Sequence, residues 1–304
     1  MKYRFRRRFL YILLILSNKF FLLLPYNIAI TVGGACGKAV YMLLPRYRNL
    51  TRAHLEYAFN GSVTREWLIR VSRSVFVNLG MGAAEILSLP KIKHRLDTFI
   101  DIQGRERVDK VISEGTGAVV VSAHLGNWEL IPVYFARNGY KSHVVARPIY
   151  YEKFNDWVSS LRSCMGVNVI YRTDSAKKLI RFLRQKELIG IVADQDVDSL
   201  GGVFVDFFGK KAYTPSAPVK LAQACRVPII PVFIVRSGLR HKIYVEEPIY
   251  IDDTSDPEWI TNYTKRWSDI VESYVRRYPE QWVWMHKRWK TRPYDDRLVC
   301  NHGH

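Results

Sequence analysis

The feature that most constrains the fold of this 304-residue chain is the run AVVVSAHLGNWEL at residues 118–130. Ala118, Val119, Val120 and Val121 make a short, mostly β-branched stretch that reads as a buried strand, with Ser122, Ala123 and His124 at its end. Gly126 and Asn127 break the run, and across residues 128–138 the apolar spacing turns helical, with Gly139 as the stop. His124 therefore stands at a strand-to-helix corner. Glu129 follows five residues later. In one continuous helix the two side chains would splay by roughly 140°, at about 100° per residue. A turn at Gly126 and Asn127 instead folds Glu129 back toward the imidazole, a geometry suited to a carboxylate that orients a general base. A His with an acid at this offset also arises by chance, and His241 with Glu246 is a second case in this chain. That pair lies in an alternating, strand-like run, where an odd offset sends two side chains to opposite faces.

Beyond this run the pattern alternates. Strands are expected at residues 99–102, 142–146, 167–171, 189–193, 229–235 and 242–251, with a short ribbon at 203–208 and 212–213. Helices are expected at 105–114, 150–165, 175–186, 215–225 and 257–278. This order predicts an α/β fold, a mainly parallel mixed sheet flanked by helices on both faces. Upstream the chain reads as helical: residues 28–44 are apolar and small up to Pro45, and in 65–87 Trp67, Leu68, Val71, Val75 and Leu79 recur at helical spacing. A chain of this length holds one such domain with an added terminal segment. The division falls at residue 45, giving an N-terminal helical segment (1–45) and an α/β domain (46–304).

The N-terminal segment opens with Lys2, Arg4, Arg6, Arg7 and Arg8, followed by an apolar stretch at 9–24 interrupted by Ser17, Asn18 and Lys19. A signal peptide shares this layout, but Leu24-Pro25-Tyr26-Asn27 is no small-residue cleavage site. A spanning helix needs about 20 apolar residues, which Lys19 interrupts. A helix anchored in the cytoplasmic leaflet, its basic cluster held by anionic lipid, fits better than these or than a buried core helix. Lys plus Arg number 46 against 28 Asp plus Glu, a net charge of +18 that calls for an anionic partner. Nucleic acid satisfies the charge, but no nucleic-acid-binding module is recognisable and the apolar N terminus would go unexplained. The basic tail at 286–292 reads either as a docking face or as a solvated helix end. Cys36, Cys164, Cys225 and Cys300 are far apart and form no CxxC pair, against zinc fingers and a disulfide framework.

Three further strand ends carry polar groups where open α/β sheets gather function. Arg147 follows the strand at 142–146; Asp194, Gln195 and Asp196 follow the strand at 189–193; and Thr214-Pro215 supplies a helix N-cap after the ribbon. Singly, Arg147 reads as readily as a surface charge and the acidic cluster as turn chemistry; with His124 they make a site. Other enzyme classes fit less well. Gly115-Thr-Gly117 precedes a strand and lacks the third glycine of a dinucleotide loop, and there is neither a Gly-x-Ser-x-Gly elbow nor a phosphate loop.

The ordered set resembles the secondary acyltransferases of lipid A biosynthesis, of the Kdo-lipid A lauroyl and myristoyl transferase type. The matching pieces are His124-x-x-x-x-Glu129, Ala-Arg-Pro at 146–148, Ala-Asp-Gln-Asp at 193–196, Val-Asp-Phe-Phe-Gly at 205–209 with Thr214, and the closing PEQWVWMHKRWK at 279–290. The resemblance spans about residues 5–293 and extends in active-site logic to glycerolipid acyltransferases, which place Asp where this chain has Glu129. It implies a membrane-associated enzyme at the cytoplasmic face of the inner membrane that moves a fatty acyl chain from acyl carrier protein to a hydroxyl of a lipid A precursor or related glycolipid. A phosphatidylinositol mannoside or another lysolipid is the alternative acceptor. In that chemistry His124 is the base and Glu129 fixes its tautomer. Arg147, or backbone amides near Gly126 and Asn127, bind the oxyanion, Arg147 alternatively holding a phosphate. Asp194, Gln195, Asp196 and Thr214 line the site, and no cofactor or metal is required.

Overall fold

The computed structural model describes residues 2–174 and 176–293; Cys300 lies outside them. Helices α1 (Lys2–Leu23), α2 (Tyr26–Leu43), α3 (Pro45–Ala58) and α4 (Arg65–Ile92) precede the sheet. Strands and helices then alternate: β1 (Ile100–Gln103), α5 (Arg105–Ser113), β2 (Ala118–Ser122), α6 (Leu130–Arg137), β3 (Ser142–Ala146), α7 (Glu152–Ser163), β4 (Val167–Tyr171), α8 (Ala176–Arg184) and β5 (Leu188–Val192). The hairpin β6 (Gly202–Phe207) and β7 (Lys210–Pro215), helix α9 (Ala217–Cys225), strands β8 (Ile229–Ser237) and β9 (Arg240–Val245), and helix α10 (Trp259–Arg277) complete the order.

The main sheet runs β1-β9-β8-β2-β5-β3-β4. Every neighbouring pair is parallel except β8 with β9, so the expected mainly parallel mixed sheet is what the chain forms. Strand β2 lies between β8 and β5 and is buried along its whole length, which is why its residues are apolar on both faces instead of alternating. Val119 and Val121 enter one core, with the tail tryptophans Trp282, Trp284 and Trp289 and with Trp267 of α10; Ala118 and Val120 enter the other, with α5 and α6 residues such as Val108 and Phe135. The β6–β7 ribbon pairs six residues on each side, longer than the two-residue second strand the sequence suggests. Thr214 lies inside β7, and Ser216 precedes α9 without a side-chain cap bond, so Thr214 is not the helix cap. Pro45 likewise does not simply end a helix. It occupies the first turn of α3, where its missing N–H costs nothing.

The N-terminal helices are packed on α4. Asn18 Nδ2 donates to the Leu87 carbonyl at 2.7 Å, and Phe21, Ala29 and Ile30 bury against Ala84. Helices α2 and α4 cross at backbone contact: a Cβ at Gly37 would run into the Phe76 carbonyl, and one at Gly80 into the Gly33 carbonyl. Only glycine permits this approach. Gly37→Ala is expected to lower stability by about 1–3 kcal/mol through overpacking. Chemical denaturation of the detergent-solubilised protein checks this, and an unchanged midpoint would mean the helices sit further apart than described.

Candidate active site

The site lies where β2 and β5 end side by side, with Ser122 in register with Val192. Two residues beyond each lie His124 and Asp194. After His124 the chain turns at Gly126, whose φ of +59° is in the left-handed region and whose missing Cβ clears the Ile234 carbonyl. The tail is zipped antiparallel along this turn. Gly126 N donates to the Gln281 carbonyl at 2.9 Å, Leu125 bridges Trp282, and Val283 N donates to the His124 carbonyl at 3.1 Å.

The partner of the imidazole is Asp194, not Glu129. His124 Nδ1 lies 2.6 Å from Asp194 Oδ1, and the His124 backbone N–H donates to Oδ2 at 2.8 Å. Trp282 Nε1 donates to Oδ2 at 2.7 Å. Asp194 is only 1% exposed while the His124 side chain is 21% exposed. A buried carboxylate is costly unless fully hydrogen-bonded, and these donors satisfy it. With Nδ1–H given to Asp194, Nε2 holds the free lone pair, and the Gln195 side-chain amide faces it at 3.2 Å. Burial disfavours the imidazolium, but the charge and hydrogen bond of Asp194 outweigh it. Glu129's charge adds to this and Arg172's subtracts, so His124 titrates above its ordinary value of 6.5. Burial alone would raise Asp194; the charge and hydrogen bond of His124, with the Trp282 N–H, hold it well below the usual carboxylate range.

Glu129 is turned to another partner. Arg162 of α7 grips it with two nitrogens, Nε to Oε2 at 2.9 Å and Nη2 to Oε1 at 2.5 Å. Helix α6 starts at Leu130, so Glu129 sits at its N-cap rather than one turn inside, and it reaches His124 through its charge alone. Of the expected oxyanion donors, one backbone amide is committed elsewhere. The Gly126 amide serves Gln281, and Asn127 is buried with its Nδ2 on Glu85 Oε2 at 2.8 Å, facing α4. Glu85 has no exposed surface; besides Asn127 it accepts from Tyr26 OH, from His241 Nε2 at 2.8 Å and from both terminal nitrogens of Arg236. Burial would raise this carboxyl, but His241 and Arg236 hold it well below the ordinary range. Glu246 lies one residue beyond β9, outside the strand expected to run to residue 251, and pairs with Tyr274 instead of His241.

Arg147 is exposed after β3 and stands beside Arg172, which follows β4; the two strands end in register. Burial and the Arg147 charge lower the Arg172 pKa, and Arg172 acts on His124, so these two cations form a positive rim near the base. Asp196 does not line the site through its carboxylate. It anchors the tail by accepting from Thr291 N at 2.6 Å and Thr291 Oγ1 at 2.7 Å. Thr214 Oγ1 accepts from buried Arg288 Nη2 at 2.6 Å. By charge alone Arg288 and His286 read as docking face or solvated helix end, but Arg288 is buried and both ring nitrogens of the partly buried His286 are shielded. Burial pulls Arg288 down to about 10 and His286 to about 4. Arg162 and Glu85 carry no sequence signal beyond residue type. The closing PEQWVWMHKRWK string was the one hint at the tail's importance. Among the described residues no group of three His, Cys, Asp or Glu is gathered as metal ligands.

A carboxylate-backed imidazole at the carboxyl ends of a parallel sheet, its second nitrogen facing only a side-chain amide, has the geometry that general-base chemistry in a hydroxyl-activating transferase or hydrolase requires. The family described as Bacterial lipid A biosynthesis acyltransferase matches residues 1–291, and the chain belongs to that family. It is 24% identical over 284 residues to the lipid A biosynthesis palmitoleoyltransferase of Escherichia coli K12, covering 89% of this chain and 87% of that one. It is equally 24% identical to the E. coli lipid A biosynthesis lauroyltransferase over 282 residues, covering 89% and 88%. A phosphatidylinositol mannoside acyltransferase of Mycolicibacterium smegmatis is 26% identical over 220 residues, 70% of each chain. Among solved structures, the 1-acyl-sn-glycerophosphate acyltransferase PlsC of Thermotoga maritima aligns over 83% of this chain and 96% of its own, at 16% identity and a TM-score of 0.38.

Because the folded-state pKa of His124 is raised, protonation of His124 stabilises the fold. That contribution is complete below the unfolded value of about 6.5 and is lost as pH rises through the folded value. Asp194→Asn is expected to move the His124 titration midpoint down. Histidine-selective NMR reads this directly, and a midpoint insensitive to the substitution would remove Asp194 as the cause.

Proposed function

We propose that this acyltransferase moves a fatty acyl chain from acyl carrier protein to a hydroxyl of a lipid A precursor, the Kdo-lipid A type, at the cytoplasmic face of the inner membrane. The observation that carries the reading is the Asp194–His124 pair, with Nε2 left to take a proton. The acceptor hydroxyl displaces the Gln195 amide from Nε2. His124 accepts the hydroxyl proton as the oxygen attacks the thioester carbonyl, and returns it to the departing thiolate when the C–S bond breaks. Asp194 holds the tautomer and stabilises the imidazolium, the role the sequence suggested for Glu129; Glu129, fixed by Arg162, adds its charge. Such general-base help is worth about 10² to 10⁴ in rate. The Arg147–Arg172 rim suits a phosphate of the acceptor or of the carrier's prosthetic arm. No step needs a metal.

Membrane association is supported by α1. Phe9, Leu13, Leu16, Phe20 and Leu23 recur at steps of three and four residues, hence on one face, and each is half or more exposed. Arg6, Arg7 and Arg8 precede this face, the arrangement of an interfacial helix on anionic lipid. By length and composition Arg65–Thr98 could cross a membrane, yet Val71, Val75, Phe76 and Glu85 bury it in the protein. Residues 1–45 then form the membrane-associated segment and 46–304 the catalytic domain. A second reading changes only the acceptor: the likeness to the phosphatidylinositol mannoside acyltransferase of M. smegmatis favours that glycolipid as the alternative.

Two expectations test these statements. Mass spectrometry of lipids after incubation with an acyl-carrier-protein donor and a Kdo-lipid A precursor should show a gain of one acyl chain, lost in His124→Ala. A precursor left unchanged while a phosphatidylinositol mannoside is acylated would transfer the reading to the second acceptor. Replacing Leu13 and Leu16 together by Ser should weaken sedimentation with anionic vesicles by about tenfold or more, given about 0.8 kcal/mol per buried CH₂; undiminished binding would place the anchor elsewhere.

A further inference from the structure

His286 is a polar side chain the acyl-transfer scheme has not used. Both of its ring nitrogens are shielded from solvent and have no hydrogen-bond partner in the protein. An imidazole always offers at least one N–H, and a buried donor left unpaired costs about 1–3 kcal/mol, so such a group persists where something outside the protein completes it. Its position says what that is. The His286 ring lies 6.1 Å from the His124 ring, centroid to centroid, and stands edge-on to Trp282 at 4.8 Å, the indole that donates to Asp194. Two imidazoles whose edge nitrogens each stand roughly 3 Å from one shared group are separated by about this distance. The tail holds His286 there through the zipper to residues 124–126 and through Arg288, itself pinned on Thr214 and the Tyr213 carbonyl.

The chemistry of the two rings differs. His124 has a carboxylate behind it and is built to gain a proton. His286 has none: burial first, with the charges of His124, Arg288 and His54 adding, outweighs the pull of Asp194 and keeps it neutral at physiological pH. A neutral imidazole cannot supply base strength to match His124, but its N–H can polarise a carbonyl, as a neutral histidine does in triosephosphate isomerase. Of the other donors considered for this task, Gly126 N–H serves Gln281 and Arg147 is out on the exposed rim.

We propose that His286 is a second catalytic residue, whose N–H donates to the carbonyl oxygen of the acyl thioester and stabilises the oxyanion formed on it. The proposal rests on the acyl-transfer reading above. In the step, the acceptor O–H bond breaks with its proton going to His124 Nε2, the C–O bond forms, and the carbonyl π pair moves onto the oxygen facing His286. When that pair returns, the C–S bond breaks and the thiolate takes the proton from His124. His286 keeps its own proton throughout.

The test compares wild type, His124→Ala, His286→Phe and His286→Asn with lauroyl acyl carrier protein as donor and, as acceptor, a Kdo-lipid A precursor or a phosphatidylinositol mannoside, whichever the wild type acylates. His286→Phe keeps a ring beside Trp282 but has no donor, and its kcat should fall about 10²- to 10³-fold, the usual loss for an oxyanion donor, with KM within a few-fold. His286→Asn restores an N–H and should recover a tenfold or greater part of that loss at an unchanged melting temperature. A fully active Phe variant, a rise in KM alone, or a loss that tracks melting temperature and is not rescued by Asn overturns the role of His286 while leaving His124 as base. A wild type that acylates neither lipid, or a fully active His124→Ala, overturns the acyl-transfer reading and this proposal with it.

Discussion

The charge of Asp194 is the constraint on which the site depends. A carboxylate with almost no exposed surface must find donors or unfold the region around it, and the three it finds come from separate parts of the chain: the backbone and ring of His124 after β2, and the indole of Trp282 in the tail. Satisfying one ion therefore fixes the tautomer of the imidazole, the path of the chain after β2, and the docking of the last described segment. The pairing of β2 with β5 makes this possible, because adjacent parallel strands end at the same level and present their following residues together.

A second buried carboxylate repeats the device one layer away. Glu85 gathers Tyr26 from the start of α2, Arg236 and His241 from β8 and β9, and Asn127 from the turn after His124. The N-terminal helices, the antiparallel β8–β9 pair of the sheet and the turn after His124 thus share one hydrogen-bonded node. The glycine contacts between α2 and α4 bring Tyr26 and Glu85 close enough for it. Packing in the helical layer and geometry in the site are two ends of the same arrangement.

Much of this was legible in the residues. The switch from a period of two to one of 3.6 around Gly126 located the corner that carries His124, and the strand-helix alternation pointed to a mainly parallel sheet with most boundaries close to place. The partner of His124 was not legible, for a physical reason. Proximity in sequence favoured Glu129, whereas Asp194 is 70 positions away and becomes adjacent only through the register of two strands. Once Arg162, also distant in sequence, supplies a bidentate partner, Glu129 has a better place to go. The tail misleads by the same logic. Its cations read as surface because composition is local, while Arg288 is buried over the Phe207 ring and His286 stands against Trp282, contacts that only the fold brings about.

The zipper between residues 281–283 and 124–126 also sets an order in time. Every strand of the sheet leaves the ribosome before Gln281 and Trp282 do, so the sheet can assemble while Asp194 still lacks its indole donor and Gly126 its carbonyl partner. The corner that holds His124 is finished only after the whole sheet, and a nascent chain carries this imidazole in an unfastened state until the tail arrives.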